Sequence, residues 1–394
     1  MNTKHLKLRN QRRVLEAIRK HAPVTREELV RITSMSAPTL ISALNAFRQL
    51  ELVQSVGYVD STGGRPPELM DINEKAGFAV AFWMEVPRID CAVLDLKSHV
   101  LCKESSYLTS VEQVDDNLQE IVDLIRRTIE QAGIDQKALI GIGFAIPGLI
   151  DRHANRSLTI ERLPGWENVD IAELLSKEFE CPVSIDNDIR AAAIAENHIH
   201  LQNRYRDFLY VGVFEGIGMG IYSDGLVQMG NRGNAGFLGH TTVVPDGIQC
   251  RCGSEGCLEV YSSIAGIRRQ IVSTCSRDVL EGIPNEQLQE EHILEAYMNG
   301  QPQVVRIVKR ANRMLGIGLS NAIKLFDPAL IVVGSRCLFR YDENFHEIED
   351  TCRAYLRNYP DKNTTICRSQ VHDNPVIVGI GMTVIDSFFD SVIA

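Results

Sequence analysis

The chain has 394 residues, 44% of them hydrophobic and 23% charged, with a formal net charge of −10 at pH 7, an ordinary composition for a globular protein of two or three domains. No apolar run of about 18 residues stands out, and the basic start MNTKHLKLRNQRR lacks a following apolar region; neither a membrane span nor a signal peptide is expected, and the cytoplasm is the expected compartment. Charge is uneven: residues 1–73 carry 11 Lys+Arg against 7 Asp+Glu and the remainder 30 against 44, so only the first segment suits a polyanion.

Residues 9–21 place Val14, Leu15 and Ile18 on one helical face, and Pro23 ends that helix. Thr25-Arg-Glu-Glu28 is a capping box that starts a second helix, with Leu29 and Ile32 inward. Ser36 is positioned to cap a third helix, with Pro38 in the permitted first turn. Its inner stripe is Leu40, Ile41, Leu44 and Phe47, leaving Thr39, Ser42, Ala43 and Asn45 turned away. This is the helix-turn-helix arrangement, although three such helices also serve as a dimerisation module. Short extended runs around the Gly-rich STGGRPP then add a wing. Candidate DNA contacts are Arg9 and Arg12 on the first helix, Ser36, Thr39, Ser42 and Asn45 on the third, and Arg65 on the proline-stiffened arm. Arg65 also reads as a plain linker residue.

From Gly77 the pattern changes. GFAVAFWME, RIDCAVLD and VLCKESSYL read as three antiparallel strands, followed by an amphipathic helix ending at Gly133. The strand LIGIGFAIPG, a helix around IAELLSKEFE and the strand PVSID follow, and a helix begins at Asn187-Asp188. The order then repeats: FLYVGVFEG, IGMGIYSDG and a run near GLVQMG, a long helix QVVRIVKRANRMLGIGLSNAIKLF, and the strand PALIVVG. The repetition predicts two α/β lobes with a cleft between them. Asp188 reads as a cap of the helix that begins at Asn187-Asp188.

Cys250, Cys252 and Cys257 are spaced C-x-C-x4-C, with His240 ten residues before the first and Gly253 and Gly256 among them. Three thiolates and one imidazole make the closed tetrahedral shell of a structural zinc ion. Buried thiols alone would need neither the glycines nor the histidine. The other seven cysteines are scattered and are expected to be reduced.

These residues resemble the ROK family (repressors, open reading frames and sugar kinases), whose α/β fold is two-lobed, actin-like and ribonuclease H-like. The resemblance covers nearly the whole chain. It rests on IPGLID (146–151), LPGWENV (163–169), IDNDIRAAAIAE (185–196), GIGMGIYSDG (216–225), GFLGH (236–240), CRCGSEGCLE (250–259) and LSNAIKLFDPALIVVG (319–334). The added helix-turn-helix with GRPP is similar to the transcriptional repressor branch, which includes glucose-, N-acetylglucosamine- and xylose-responsive regulators. The resemblance implies a winged helix-turn-helix domain over 1–73 and a first lobe over 74–190, to which a C-terminal helix 375–394 returns. A second lobe over 191–374 would carry the zinc loop 240–257.

The resemblance also implies a sugar site beside the zinc, in which Asn187, Asp188, His240 and Glu259 bond the hydroxyls of a sugar or sugar-phosphate effector. Asp188 matches the catalytic base of the family's kinases. Three departures stand out. Phe237 occupies a position where the family usually has a ligand-binding Glu. The first phosphate loop, D-x-G-G-T in the kinases, is here WMEVPRI (83–89), and the second, G-T-G, is Phe214-Glu215-Gly216 with no compensating lysine. The expectation is a transcriptional regulator of the repressor type that binds a double-stranded DNA operator as a homodimer or homotetramer. No phosphoryl transfer and no catalytic residue are expected. An active sugar kinase with an added DNA module, and a regulator controlled by a protein partner, are the alternatives.

Overall fold

In the computed structural model the described residues are 3–60, 66–108, 113–274, 283, 288–359, 363–371 and 374–393. Three helices come first: α1 (Thr3–His21), α2 (Arg26–Thr33) and α3 (Ala37–Gln49). The capping box at α2 is complete, with the Thr25 side chain accepting from Glu28 N–H and the Glu28 carboxylate accepting from Thr25 N–H. Ser36 occupies the cap position of α3 but makes no capping bond; its hydroxyl pairs with Thr39 Oγ1 at 2.9 Å. Strands β1 (Val53–Tyr58) and β2 (Glu68–Ile72) form an antiparallel hairpin, and Glu68 accepts from Arg48 of α3 (2.7 Å) and Arg26 of α2 (3.3 Å). Two inward assignments need correcting. Ile32 and Ile41 are 39% and 42% exposed, while Ala43 is buried. On a 3.6-residue period Leu40, Ala43, Leu44 and Phe47 form the i, i+3, i+4, i+7 stripe, and Ile41 lies about 100° off it.

The body opens with an antiparallel meander, β3 (Phe78–Glu85), β4 (Arg88–Asp95) and β5 (Val100–Tyr107), covered by α4 (Val114–Ala132). Strand β6 (Leu139–Ile146) lies parallel to β3. A small sheet not expected from the sequence follows, formed by β7 (Leu149–Asp151), β8 (Arg156–Thr159) and β9 (Glu167–Val169). After α5 (Ile171–Phe179), β10 (Val183–Asn187) pairs parallel with β6. Helix α6 (Asp188–Ala195) starts at the end of β10 and runs into a π turn, Glu196–His200.

The second half repeats this plan. The meander is β11 (Phe208–Val213), β12 (Ile217–Ser223) and β13 (Leu226–Val227). Helices α7 (Leu258–Ser262), α8 (Ile264–Thr274), α9 (Glu290–Met298) and α10 (Pro302–Phe326) precede β14 (Leu330–Gly334). Helix α11 (Asp342–Tyr355), β15 (Thr365–Arg368) and α12 (Pro375–Ile393) complete it. The strand orders β10-β6-β3-β4-β5 and β15-β14-β11-β12-β13 are the same pattern, two parallel strands joined to a meander. This is the two-lobed actin-like α/β fold.

Helices α6 and α12 pack together between the two sheets, sharing one core with Ala81, Trp83 and Leu94 of the first and Phe208, Tyr210 and Val332 of the second. Alanines 191, 192, 193 and 195 make this close approach available. Glu196, fully buried, ties the two chain crossings between the lobes: it accepts from Ser369 Oγ (2.6 Å) and Gln370 N–H (3.3 Å) and pairs with His200 Nδ1 (2.7 Å). The N-terminal helices share a second core with Ala79 of β3, with Leu96 just after β4 and with Val384, Ile385 and Phe389 of α12.

Helix α12 amends one expectation. It has 19 residues, with an 18-residue stretch of mean hydropathy 1.8, long and apolar enough to cross a membrane by length and composition. Here it is covered by α6, β3, β6 and α1, which accounts for its apolar character on more than one face.

Candidate metal centre and ligand cleft

His240 ends a short 3-10 turn, Leu238–His240, and the loop after it is folded back by the bridges Thr242↔Cys257 and Gln249↔Glu255. Gly256 has φ 69, and a Cβ there would lie 1.6 Å from Val244 O, so the reversal requires glycine. The loop brings one donor atom from each of His240, Cys250, Cys252 and Cys257 to within 4.8 Å of one another. His240 Nδ1 faces Cys250 Sγ at 3.8 Å, and Cys252 and Cys257 Sγ are 3.7 Å apart. This cluster could hold a metal ion.

The imidazole has a second side. His240 Nε2 points at Glu161 Oε1, 3.4 Å away, in the loop between β8 and β9. Glu259, in the first turn of α7, accepts Ile217 N–H at 3.0 Å, and its Oε2 would lie 2.9 Å from any Cβ placed on Gly216. The donor atoms of Glu161, His240 and Glu259 also lie within 4.8 Å of one another. The Phe237 ring stands 5.9 Å, centroid to centroid, from the His240 imidazole.

At the other end of the cleft the helix cap is Asn187, whose Oδ1 accepts from Ile189 N–H (3.1 Å) and Arg190 N–H (3.2 Å). Asp188 is the first helical residue and bonds Ile189 N–H at 2.8 Å. The capping role considered for Asp188 thus falls to its neighbour, and the Asn187 amide oxygen is committed to backbone. Burial pushes the Asp188 carboxyl up to about 6, against the opposing pull of Ile189 N–H, Arg162 and Trp83.

The two stretches expected to correspond to phosphate loops each carry an ion pair that crosses the cleft. Glu85, at the end of β3, bonds Arg336, which follows β14. Burial raises the Glu85 carboxyl to about 7, with Arg336 opposing. Glu215 accepts from Arg162 Nη1 (3.1 Å) and Arg268 Nη1 (3.2 Å). It has no lysine partner among the described residues, but two arginines compensate it, which the sequence reading did not anticipate. Glu161, Arg162, Arg268 and Arg336 were all missed. Only Glu161 and Arg162 carried a signal, since they immediately precede the quoted LPGWENV motif.

On the N-terminal module Ser36, Ser42 and Asn45 are exposed and Thr39 is half-buried. Arg9 is exposed on α1, but Arg12 is engaged by Asp390 of α12, and Arg19 pairs with Asp386 of the same helix at 2.7 Å. Arg12 therefore tethers the module to the body. Arg65 lies outside the described residues.

A protein-family model described as ROK family matches residues 85–386. The chain is 24% identical over 383 residues to the xylose repressor of Bacillus subtilis (strain 168), covering 97% of this chain and 96% of that one. It is 27% identical over 337 residues to the DNA-binding transcriptional dual regulator NagC of Escherichia coli (strain K12), covering 84% and 81%. Among solved structures it is similar to a ROK family transcriptional regulator, described as a homolog of the E. coli MLC protein, with a TM-score of 0.78 at 23% identity over 99% of this chain and 98% of that one. A ROK family glucokinase from Streptomyces griseus in complex with glucose and AMPPNP has a TM-score of 0.68 at 23% identity, covering 78% of this chain and 99% of its own.

Proposed function

The chain belongs to the ROK family, and on that premise we propose that it is a DNA-binding transcriptional repressor of sugar uptake or metabolism genes whose body senses a sugar without phosphorylating it. The observation that carries this reading is the winged three-helix module, whose third helix turns Ser42 and Asn45 outward, joined through a shared core to a two-lobed body. Relatives named as repressors that match over most of their length support it. Residues 1–73 are then the DNA-binding unit, 74–190 with the helix 375–394 the first lobe, and 191–374 the second.

The donor set fits zinc. Tetrahedral Zn–S bonds of about 2.3 Å put two sulfurs about 3.8 Å apart, close to the 3.7 Å between Cys252 and Cys257 Sγ. A structural zinc ion there supplies a fixed cross-link for the loop. His240 holds its ring with Nδ1 toward the thiols and Nε2 toward the cleft, leaving Nε2 to bond a sugar hydroxyl. Asp188 and Glu259 accept from further hydroxyls, and the Asn187 side chain orders the start of α6 around them.

The resemblance reads the stretches around Glu85 and Glu215 as the phosphate loops, and on that reading their carboxylates, paired with arginines, would face the phosphates of ATP. Phosphoryl transfer is therefore disfavoured, and Asp188 serves binding. Closure around a sugar would shift α6, α12 packed on it, and then α1, altering the spacing of recognition helices in a homodimer or homotetramer on its operator. Such a protein works in the cytoplasm. An electrophoretic shift with DNA upstream of its own gene tests the reading: a sequence-specific complex that a sugar dissociates is expected. Folded protein that gives no specific complex at moderate salt would overturn it, and sugar-dependent ATP turnover lost in D188N would overturn its non-enzymatic part.

A further inference from the structure

Glu161 belongs to a loop of the first lobe, yet its carboxylate faces the metal-side histidine of the second, 3.4 Å from His240 Nε2. His240 is its one recorded ion-pair or hydrogen-bond partner among the described residues. With Glu259 these groups offer three donor or acceptor atoms within 4.8 Å of one another. Atoms so spaced enclose a point no more than about 2.8 Å from each, ordinary hydrogen-bonding length for an oxygen. A hydroxyl at that point accepts from the imidazole N–H and donates to one carboxylate, while a hydroxyl on the adjoining carbon reaches the other.

The aspartate end of the same cleft is tied to this loop. The Trp83 side chain, only 5% exposed, bears on the Asp188 carboxyl and opposes its rise, and so does Arg162, the residue next to Glu161. The 161–162 dipeptide therefore joins the histidine end of the cleft to the aspartate end.

We propose that Glu161 is a specificity-determining ligand contact which, with His240 and Glu259, seats a hydroxyl of an uncharged sugar across the cleft. Two carboxylates on one subsite select hydroxyl donors and reject a ligand phosphate or carboxylate. Because Glu161 comes from one lobe and its two companions from the other, a ligand meeting all three ties the lobes together. The inference rests on the reading of this cleft as an effector site.

Calorimetric titration of the full-length, metal-replete chain with D-xylose, D-glucose, N-acetyl-D-glucosamine and glucose 6-phosphate tests it, using wild type, E161A, E161Q and, as a control at an exposed residue of β9, E167A. At least one uncharged sugar should bind wild type and E167A equally, at least tenfold more weakly to E161A, and with an intermediate loss to E161Q, which keeps an acceptor. Metal content of E161A should equal that of wild type. An uncharged sugar bound equally by wild type and E161A overturns the proposal and leaves sugar sensing standing. Loss of metal in E161A also overturns it, since Glu161 would then be holding His240 for the metal. Binding of glucose 6-phosphate alone, or of none of the sugars, overturns both readings.

Discussion

Asp188 holds its carboxyl in a setting that disfavours the charged form. Its carboxyl, raised by burial to about 6, favours the folded state most where it is protonated in both states, and that contribution is lost as the pH rises through about 6. At pH 7.5 the ionised group is a burden, so D188N should stabilise the protein by about 1–2 kcal/mol there, with the gain shrinking as the pH falls toward 4. Urea unfolding at several pH values reads this directly, and a D188N that is destabilised at pH 7.5 would contradict it. At the metal loop the opposite holds. Cys257 is fully buried beside Cys252, and C257S should bring metal content measured by mass spectrometry close to zero and open residues 240–259 to protease. The Cys3His cluster was legible because cysteine and glycine spacing is local and few chemistries use it. Glu161 was not legible, since a glutamate in a turn has no period and acquires its role only when the chain brings His240 to it.

At the scale of elements, α12 and α6 depend on the absence of side chains. A methyl on Gly379 would stand 1.8 Å from the carbonyl oxygen of Ala191, so α12 would have to leave α6 to admit it. G379A should lose about 3 kcal/mol, the upper end of what overpacking costs, or fail to fold, as measured by thermal unfolding, and a variant melting within a few degrees of wild type would count against this packing. The strand meanders, helix starts and their repetition were readable from periodicity and caps. The inner face of α3 was misread at Ile41 because an isoleucine beside Leu40 looks like core until the 3.6-residue stripe through Ala43 is traced. The place of α12 was less legible still, since a helix apolar on several faces does not say which neighbours cover it.

Across the whole molecule, Glu85–Arg336 and Arg162–Glu215 join the lobes without a nucleotide. R336A leaves Glu85, only 6% exposed, without its cation; it should cost about 1–3 kcal/mol and enlarge the sugar-free particle in X-ray scattering. An unchanged radius of gyration would show that Glu196 and the shared core alone hold the lobes. That shared arrangement also sets a schedule. Val14, Leu15 and Ile18 of α1 find Val384, Ile385 and Phe389 as core neighbours, and these are added only after the ribosome has made both sheets. The recognition module emerges early but stays partly uncovered until α12 arrives. A message broken before Pro375 therefore yields chains in which this core is incomplete, and such chains should be cut faster by protease than the full-length protein.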